Sequence, residues 1–363
     1  MDNQELGVSP YCVNLPRKAL KQMIYVVRDL QKLSENSAYP TLLSGLESHA
    51  RIPIKHYSVL MGYDFHLDES SGQVKLIEVN TNAGGVWFAS RSYDRHIKQF
   101  PDKLGKAILA SFLNDYRLFC KQPTARPQLV AIIDQMPERQ FLYPEMQVFA
   151  TLFEQAGIKT VIIDPSDIDA QGANLYYQHQ RIDLIYNRHC DFYLNSPEMQ
   201  DIAQAWQAQS LCVTPNPRTY GLLADKYRMS DWEFNQEIAN LLPKRLHRAF
   251  PKTYLLSKFP RENLWAERKQ WVFKPLNGYA SRGVYVGDKL TKNKFNNFVS
   301  DETLVQECIK PSIFISPEGG KFKIDFRLFT YCNTILMVSA RLYQGQVTNL
   351  RTPKGGFAQV KLV

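Results

Sequence analysis

Tyr63-Asp64-Phe65-His66-Leu67, the polar segment Asp68-Glu69-Ser70-Ser71-Gly72-Gln73, and Lys75-Leu76-Ile77-Glu78-Val79-Asn80-Thr81-Asn82-Ala83-Gly84-Gly85 form the stretch on which the reading of this chain turns. Two alternating, partly apolar runs joined by a glycine-containing turn are the pattern of an antiparallel hairpin. With the turn centred near Ser71, Asp64 falls opposite Glu78. Side chains alternate across a strand, so Glu78 and Asn80 share a face, and Asp64 joins them in that register. Like charges opposed across a ladder destabilise it, by roughly 0.2–1 kcal/mol, unless something neutralises them. Asp, Glu and Asn oxygens suit magnesium or manganese held jointly with phosphates. The same pattern also suits an exposed hairpin whose acids are simply solvated, and the rest of the chain has to separate the two.

The chain of 363 residues has room for two or three packed units, and its 44% hydrophobic content is that of an ordinary globular protein. No apolar run approaches the ~20 residues that span a bilayer, and Met1-Asp2-Asn3-Gln4-Glu5 does not open as a signal peptide does, so a cytoplasmic location is expected. The cysteines at 12, 120, 190, 212, 308 and 332 are scattered without a C-x-x-C pair and read as free thiols of a reducing compartment. The formal net charge of +9 comes with no recognisable nucleic-acid module. Anionic small molecules such as nucleotides or acidic peptides account for it equally well.

Residues 18–34 carry Leu20, Met23, Ile24, Val27, Leu30 and Leu33 at spacings of three and four, one apolar helical face. A second short helix is expected through Leu42–Leu46, and another over Asp102–Leu118. After the linker Lys121–Pro127, strands are expected at Gln128–Asp134, Thr160–Asp164 and Ile182–Arg188, with a helix over Tyr143–Ala156. This strand-helix-strand-strand order predicts a parallel sheet, which binds ligands at its carboxyl ends and so makes Asn187 and Arg188 substrate-site candidates. Pro215-Asn216-Pro217 marks the next junction, and Asp225-Lys226 opens a helical stretch. Strand Gln270–Pro275, carrying Lys274, leads into Asn277-Gly278-Tyr279-Ala280-Ser281-Arg282-Gly283, a small-residue loop whose backbone suits phosphate oxygens. It suits a plain hairpin turn as well. Further strands are expected at Thr303–Ile309, Phe322–Phe329 and Leu336–Leu342, before the basic loop Thr348–Ala358 that closes the chain.

Together these pieces resemble the ATP-grasp superfamily, ligases that join a carboxylate to an amine. Asp225-Lys226 looks like the family's first nucleotide lysine, and Phe273-Lys274-Pro275 with the loop to Val284 like its second lysine and phosphate-covering loop. Leu304-Val305-Gln306-Glu307-Cys308-Ile309 resembles the adenine hinge. Asp325-Phe326-Arg327, Arg341, and Asn349 with Gly355-Gly356 resemble the D-x-R, R and N…GG series, while Asp64, Glu78 and Asn80 match the metal ligands. The metal hairpin precedes every nucleotide motif here, whereas it ordinarily follows the glycine pair. That order resembles the circular permutation of eukaryotic-type glutathione synthetases and glutathionylspermidine synthetases. Tyr186-Asn187-Arg188 and Leu350-Arg351-Thr352 add to the likeness.

The resemblance implies an α/β (α+β) fold, a circularly permuted ATP-grasp core with an inserted Rossmann-like substrate domain. Its divisions would be 1–125 (helical segment and metal hairpin), 126–225 (Rossmann-like), 226–311 (nucleotide subdomain with lid) and 312–363 (closing core strands). It implies ATP with Mg2+ or Mn2+, the metal on Asp64, Glu78 and Asn80, and Arg327 and Arg341 as catalytic. Lys226, Lys274, Gly278, Ser281, Gly283, Gln306, Glu307, Ile309 and Asp325 would contact nucleotide; Arg188, Asn349, Arg351, Gly355 and Gly356 would contact substrate. The partners would be a small-molecule carboxylate and an amine, the carboxylate a γ-glutamyl peptide or amino acid, with no nucleic acid or membrane and with a homodimer compatible. Catalysis would rest on electrostatic positioning, without a nucleophilic Cys or Ser. Two other functions share these features: a phosphotransferase on the same fold, and a non-catalytic nucleotide-binding protein.

Overall fold

Residues 7–276 and 283–363 are described by a computed structural model. The hairpin forms, with strands Met61–Asp68 and Gln73–Asn80, and lies at one side of a seven-stranded core sheet. From the opposite edge the order is Val8–Leu15, Gly356–Leu362, Thr334–Tyr343, Lys321–Tyr331, Met61–Asp68 and Gln73–Asn80. Ser312–Ile315 adds the seventh strand, pairing with residues 321–324 where Met61–Asp68 leaves that strand uncovered.

One face of this sheet is closed by the helix Arg17–Glu35. Met23, Val27, Leu30 and Leu33 are buried there with Tyr63, Phe65 and Leu67, while Leu20 and Ile24 pack against the same core. The strand period of two therefore sends Asp64 and His66 to the other face, where the chemistry is.

The sheet's far edge is a departure from the expected elements. Val8–Leu15 runs parallel to Gly356–Leu362, in a segment to which the sequence assigned no strand and beside a stretch expected as loop. Arg17 donates its amide to the Val363 carbonyl at 2.9 Å, and Val363 donates to Leu15 at 3.1 Å. Gly356 stands at φ 93°, and a Cβ there would lie 2.4 Å from the Gly7 backbone, so this approach of the two segments requires glycine.

A four-stranded parallel sheet forms as expected, in the order Cys212–Thr214, Leu184–Asn187, Leu129–Ile133 and Lys159–Ile163. Ile108 and Phe112 of helix Asp102–Cys120, with Phe149 and Phe153 of helix Tyr143–Gln155, bury one face against Val130, Ile132 and Leu184. Ile202 and Trp206 of helix Gln200–Gln207 cover the other. Both faces are thus apolar, which explains the continuous hydrophobic runs of its strands. A short meander, Asp169–Gln171, Asn174–Tyr177 and Gln180–Arg181, is additional to the expected strands.

The third sheet is antiparallel, ordered Thr253–Leu255, Thr303–Glu307, Trp271–Pro275 and Tyr285–Val286. Val272 faces Gln306 across it, so Lys274, two residues on, projects from the same side. The short helix expected at residues 42–46 lies instead at Tyr39–Leu42.

Candidate active site

Asp64 does pair with Glu78, but not by a regular ladder. From the turn the register runs Asp68↔Gln73 to Phe65↔Leu76, and then shifts so that Asp64 meets Glu78 and Ile77 is left as the extra residue of a bulge. Without that bulge Asp64 would face Ile77, and Glu78 would point elsewhere. The bulge is held from outside the hairpin: Lys274 Nζ donates to the Ile77 carbonyl at 3.3 Å, and the Leu76 amide donates to Ala249 at 2.8 Å. Bulges next to active sites commonly re-aim side chains in this way. Asn80 Nδ2 then donates to Asp64 Oδ2 and to Glu78 Oε1, both at 3.2 Å, and the three side chains converge.

Across the next strand Arg327 lies opposite Asp64, and on the strand beyond, Arg341 lies opposite Asp325. The Asp-x-Arg spacing puts Asp325 and Arg327 on one face of their strand, so two cross-strand ion pairs stack side by side. Arg327 Nε and Nη2 grip the two oxygens of Asp64 at 2.6 Å each. Arg341 Nη2 reaches Asp64 Oδ2 at 2.8 Å, and its Nε donates to Asp325 Oδ1 at 2.6 Å. Thr348 donates to the other Asp325 oxygen. Burial raises the Asp64 carboxyl, and Arg327 and Arg341 overcome it to hold the group well below the usual carboxylate range. Burial opposes the charge on Arg341 too, while Asp325 and Asp64 lock it on.

The lysines are held differently. Lys274 is buried, and its Nζ donates to the Gln306 side chain at 2.6 Å besides the Ile77 carbonyl. Lys226, at the start of helix Tyr227–Phe234, donates to the Pro275 carbonyl at 3.0 Å. Burial pushes both ammonium groups below the ordinary lysine range, Glu78 pulls them back up, and each lysine stands within the field of that carboxylate. Four cations, Lys226, Lys274, Arg327 and Arg341, therefore surround three carboxylates, Asp64, Glu78 and Asp325. Asp225 beside Lys226 adds a fourth carboxylate, so the charges balance in number, and it is the desolvation of the two lysines that suits the site to an anion.

The parallel sheet delivers Arg188 to the same region. Its amide closes on the Ile133 carbonyl at 2.8 Å, its own carbonyl accepts Asn82 Nδ2 at 2.6 Å, and a Cβ at Gly84 would sit 2.6 Å from its terminal nitrogen. Arg327 Nη1 reaches the Gly84 carbonyl at 3.3 Å, so residues 82–84 join the two arginine sites. Glu145, buried, anchors the far end of that loop by accepting the Gly85 and Trp87 amides at 2.9 and 2.8 Å. Asp134, at the carboxyl end of the neighbouring strand, is pushed up to about 6 by burial against the opposing pull of Arg188.

No family profile and no curated protein matches the chain, but solved structures do. One is a glutathione synthetase-like effector from Globodera pallida in its apo form: 13% identity and a TM-score of 0.62, over 99% of this chain and 90% of that one. Another is a candidate γ-glutamylcysteine synthetase from Methylobacillus flagellatus KT: 11% identity and a TM-score of 0.55, over 93% and 87% of the two chains. The fold is ATP-grasp-like. Identities this low carry the fold alone, and the chemistry has to be argued from the site.

Within this ATP-grasp-like fold, the metal residues can be tested against their donors. Among the described residues no cluster of three His, Cys, Asp or Glu side chains is placed to hold an ion. Both Asp64 oxygens already accept from guanidinium groups, which leaves Glu78 and Asn80 as the available pair. That set fits a hard cation that takes most of its oxygens from phosphates, as magnesium does, and not an all-protein cage.

Other expected residues are placed less directly. Gln306 contacts Lys274 and Thr253, and Glu307 accepts the Lys252 amide at 3.2 Å. Ile309 gives its carbonyl to His66 Nδ1 at 2.9 Å, which ties the hinge segment to the hairpin through a residue that sequence reasoning did not single out. Asn349 organises its own loop, accepting from the Arg351 amide and the Thr352 hydroxyl. Arg351 is exposed, Gly355 packs against the Leu342 carbonyl and Thr352, and Gly356 serves the approach to Gly7, so the structure does not bring these into the cation cluster. Gly278 and Ser281 lie outside the described residues, and Gly283 begins the second described segment. Thr348, Glu145 and Asp134 were also missed, and no motif marks them.

Proposed function

We propose that the chain is an ATP-dependent carboxylate–amine ligase of the ADP-forming kind. The observation that carries this reading is the contrast in the cation cluster: two desolvated lysines beside two carboxylate-anchored arginines, all around Glu78 and Asn80. The fold class and the order of its motifs support a circularly permuted ATP-grasp core, as does the parallel pairing of the first and last strands. No helix among the described residues is long and apolar enough to cross a membrane.

Lys226 and Lys274 bind the phosphate oxygens, regaining in those contacts the stabilisation that burial removes. Glu78 and Asn80, with Asp64 behind them, are the residues to hold magnesium, whose contribution when bound is to neutralise phosphate charge. Arg188 grips a substrate carboxylate near the Gly84 loop, where a planar guanidinium forks onto it. A carboxylate oxygen of the substrate attacks the γ-phosphorus, the bond to the β–γ bridging oxygen breaks, and ADP leaves. The amine then attacks the acyl carbon of the acylphosphate, phosphate departs with the C–O electron pair, and the nitrogen gives up its proton. Arg341 is fixed through Nε and Nη2, and its Nη1 remains for the oxyanion of that second step.

The test is ADP release across a screen of amino acids, γ-glutamyl peptides and polyamines, with mass analysis of the product. Free phosphate and an amide are expected only when carboxylate and amine are both present. Phosphate retained on the acceptor would make the protein a phosphotransferase, and no turnover with any acceptor would leave nucleotide binding alone.

A further inference from the structure

A cavity of about 260 Å³ opens on the helix-covered side of the core sheet, away from the cation cluster. Its walls include Gln31 and Glu35 from the end of helix Arg17–Glu35, Lys55, Met61 at the start of the hairpin, Arg218 and Cys332. Met61 belongs to the core beneath that helix together with Tyr63 and Phe65, whereas Asp64 points through the opposite face. The volume holds roughly eight waters at about 30 Å³ each, which is the scale of a small metabolite.

Arg218 is the feature that asks for a ligand. Its Nη1 donates to the carbonyls of Ala50, Arg51 and Ile52 at 3.2, 3.4 and 3.4 Å, so the side chain is fixed in place by neutral groups. Among the described residues no carboxylate forms an ion pair with it, and burial lowers its hold on its proton with nothing opposing. A partly desolvated guanidinium without a counter-ion is costly unless an anion arrives. Glu35, in the same cavity wall, is positioned by Gln31 Nε2 at 2.9 Å and supplies a carboxylate for a cationic end.

We propose that this cavity is a second small-molecule site, for a zwitterion of α-amino-acid size whose carboxylate sits on Arg218 and whose ammonium sits on Glu35. The proposal does not depend on the ligase reading. Met61 and Cys332 in the cavity wall stand at the ends of the paired strands Met61–Asp68 and Lys321–Tyr331, which carry Asp64 and Arg327, so occupancy there bears on the same two strands that build the cation cluster.

The experiment is calorimetric titration of the full chain with individual L-α-amino acids and with their deaminated acids, using wild type and Arg218→Gln, Glu35→Gln and Arg188→Gln. At least one amino acid should bind wild type and Arg188→Gln alike and lose about 10-fold or more in affinity with Arg218→Gln, the scale of one charge-assisted contact. Glu35→Gln should erase the preference for the amino acid over its deaminated acid. If Arg218→Gln fails to fold, Glu35→Gln decides, because its side chain is exposed. No binding by any amino acid, binding lost with Arg188→Gln and kept with Arg218→Gln, or a preference untouched by Glu35→Gln would each overturn the proposal.

Discussion

The two arginines and the two lysines of the cluster carry the same charge and do opposite things. Arg327 and Arg341 are locked to Asp64 and Asp325 across neighbouring strands, and the arrangement is complete within the protein. Lys274 hydrogen bonds to neutral oxygens and Lys226 to the Pro275 carbonyl, and burial works against both charges while Glu78 favours them. Paired charge in a buried site holds geometry, while desolvated charge stores a demand for an anion. The site therefore divides into a frame made by guanidinium and a receptor made by ammonium.

The largest effect should come from breaking the frame. Arg327→Met leaves a buried carboxylate poorly compensated and should cost about 3–5 kcal/mol in urea denaturation. The wild-type pair should also report on acid: the folded Asp64 carboxyl lies below the ordinary carboxylate value of 3.8, so its contribution is present above that pH and is lost as pH falls through the folded value. An Arg327→Met protein as stable as wild type, with an unchanged acid limb, would break the comparison.

Glu78→Gln tests the group that faces both lysines. Turnover should fall on the order of 100-fold, the magnesium requirement should rise, and stability should hold. Lys274→Met tests the receptor itself, with ATP affinity falling about 10- to 100-fold by calorimetry. It should destabilise the ligand-free fold less than the arginine variant, because the burial cost of the ammonium offsets the loss of its two acceptors. The sign with pH follows from its lowered value: relative to Lys274→Met, wild type should gain stability as pH rises toward the ordinary lysine value of 10.5, where the charge is shed.

The smallest effect concerns Arg188, which is buried like the frame and makes no carboxylate ion pair among the described residues. Asp134, titrating near 6, competes for it when ionised. Asp134→Asn should remove an inflection near that pH from the KM profile of the carboxylate substrate and leave kcat nearly level. An inflection that survives would detach Arg188 from substrate binding.

Much of this was legible in the chain. Alternation and turn chemistry placed Asp64 against Glu78, helical spacing found the core face of Arg17–Glu35, and apolar runs found the parallel sheet with Arg188 at its carboxyl end. The bulge was not legible, because Ile77 carries no bulge signature and its irregularity is held by Lys274 and Ala249 from distant segments. Val8–Leu15 was hidden for the same reason: Pro10 and Asn14 weaken its pattern, and its partner lies at the other end of the chain. Which carboxylate an arginine chooses was equally out of reach, since Arg327 takes Asp64 from a strand 263 residues earlier. Lys226 was located by motif resemblance alone, and Lys274 by that and by its place just before the small-residue loop. Their desolvation, which separates them from surface lysines, is a tertiary property.

The bulge at Ile77 makes the hairpin a ladder written in two reading frames. Deleting Ile77 would let the strands zip regularly from the turn to the end, a local improvement in pairing. It would keep Glu78 opposite Asp64, now in a regular register, and leave Lys274 without one of its two acceptors. A single-residue deletion would thus produce a protein whose acid pair keeps its register while its buried lysine loses a tether, and such a change within a strand is invisible to any survey that counts only substitutions.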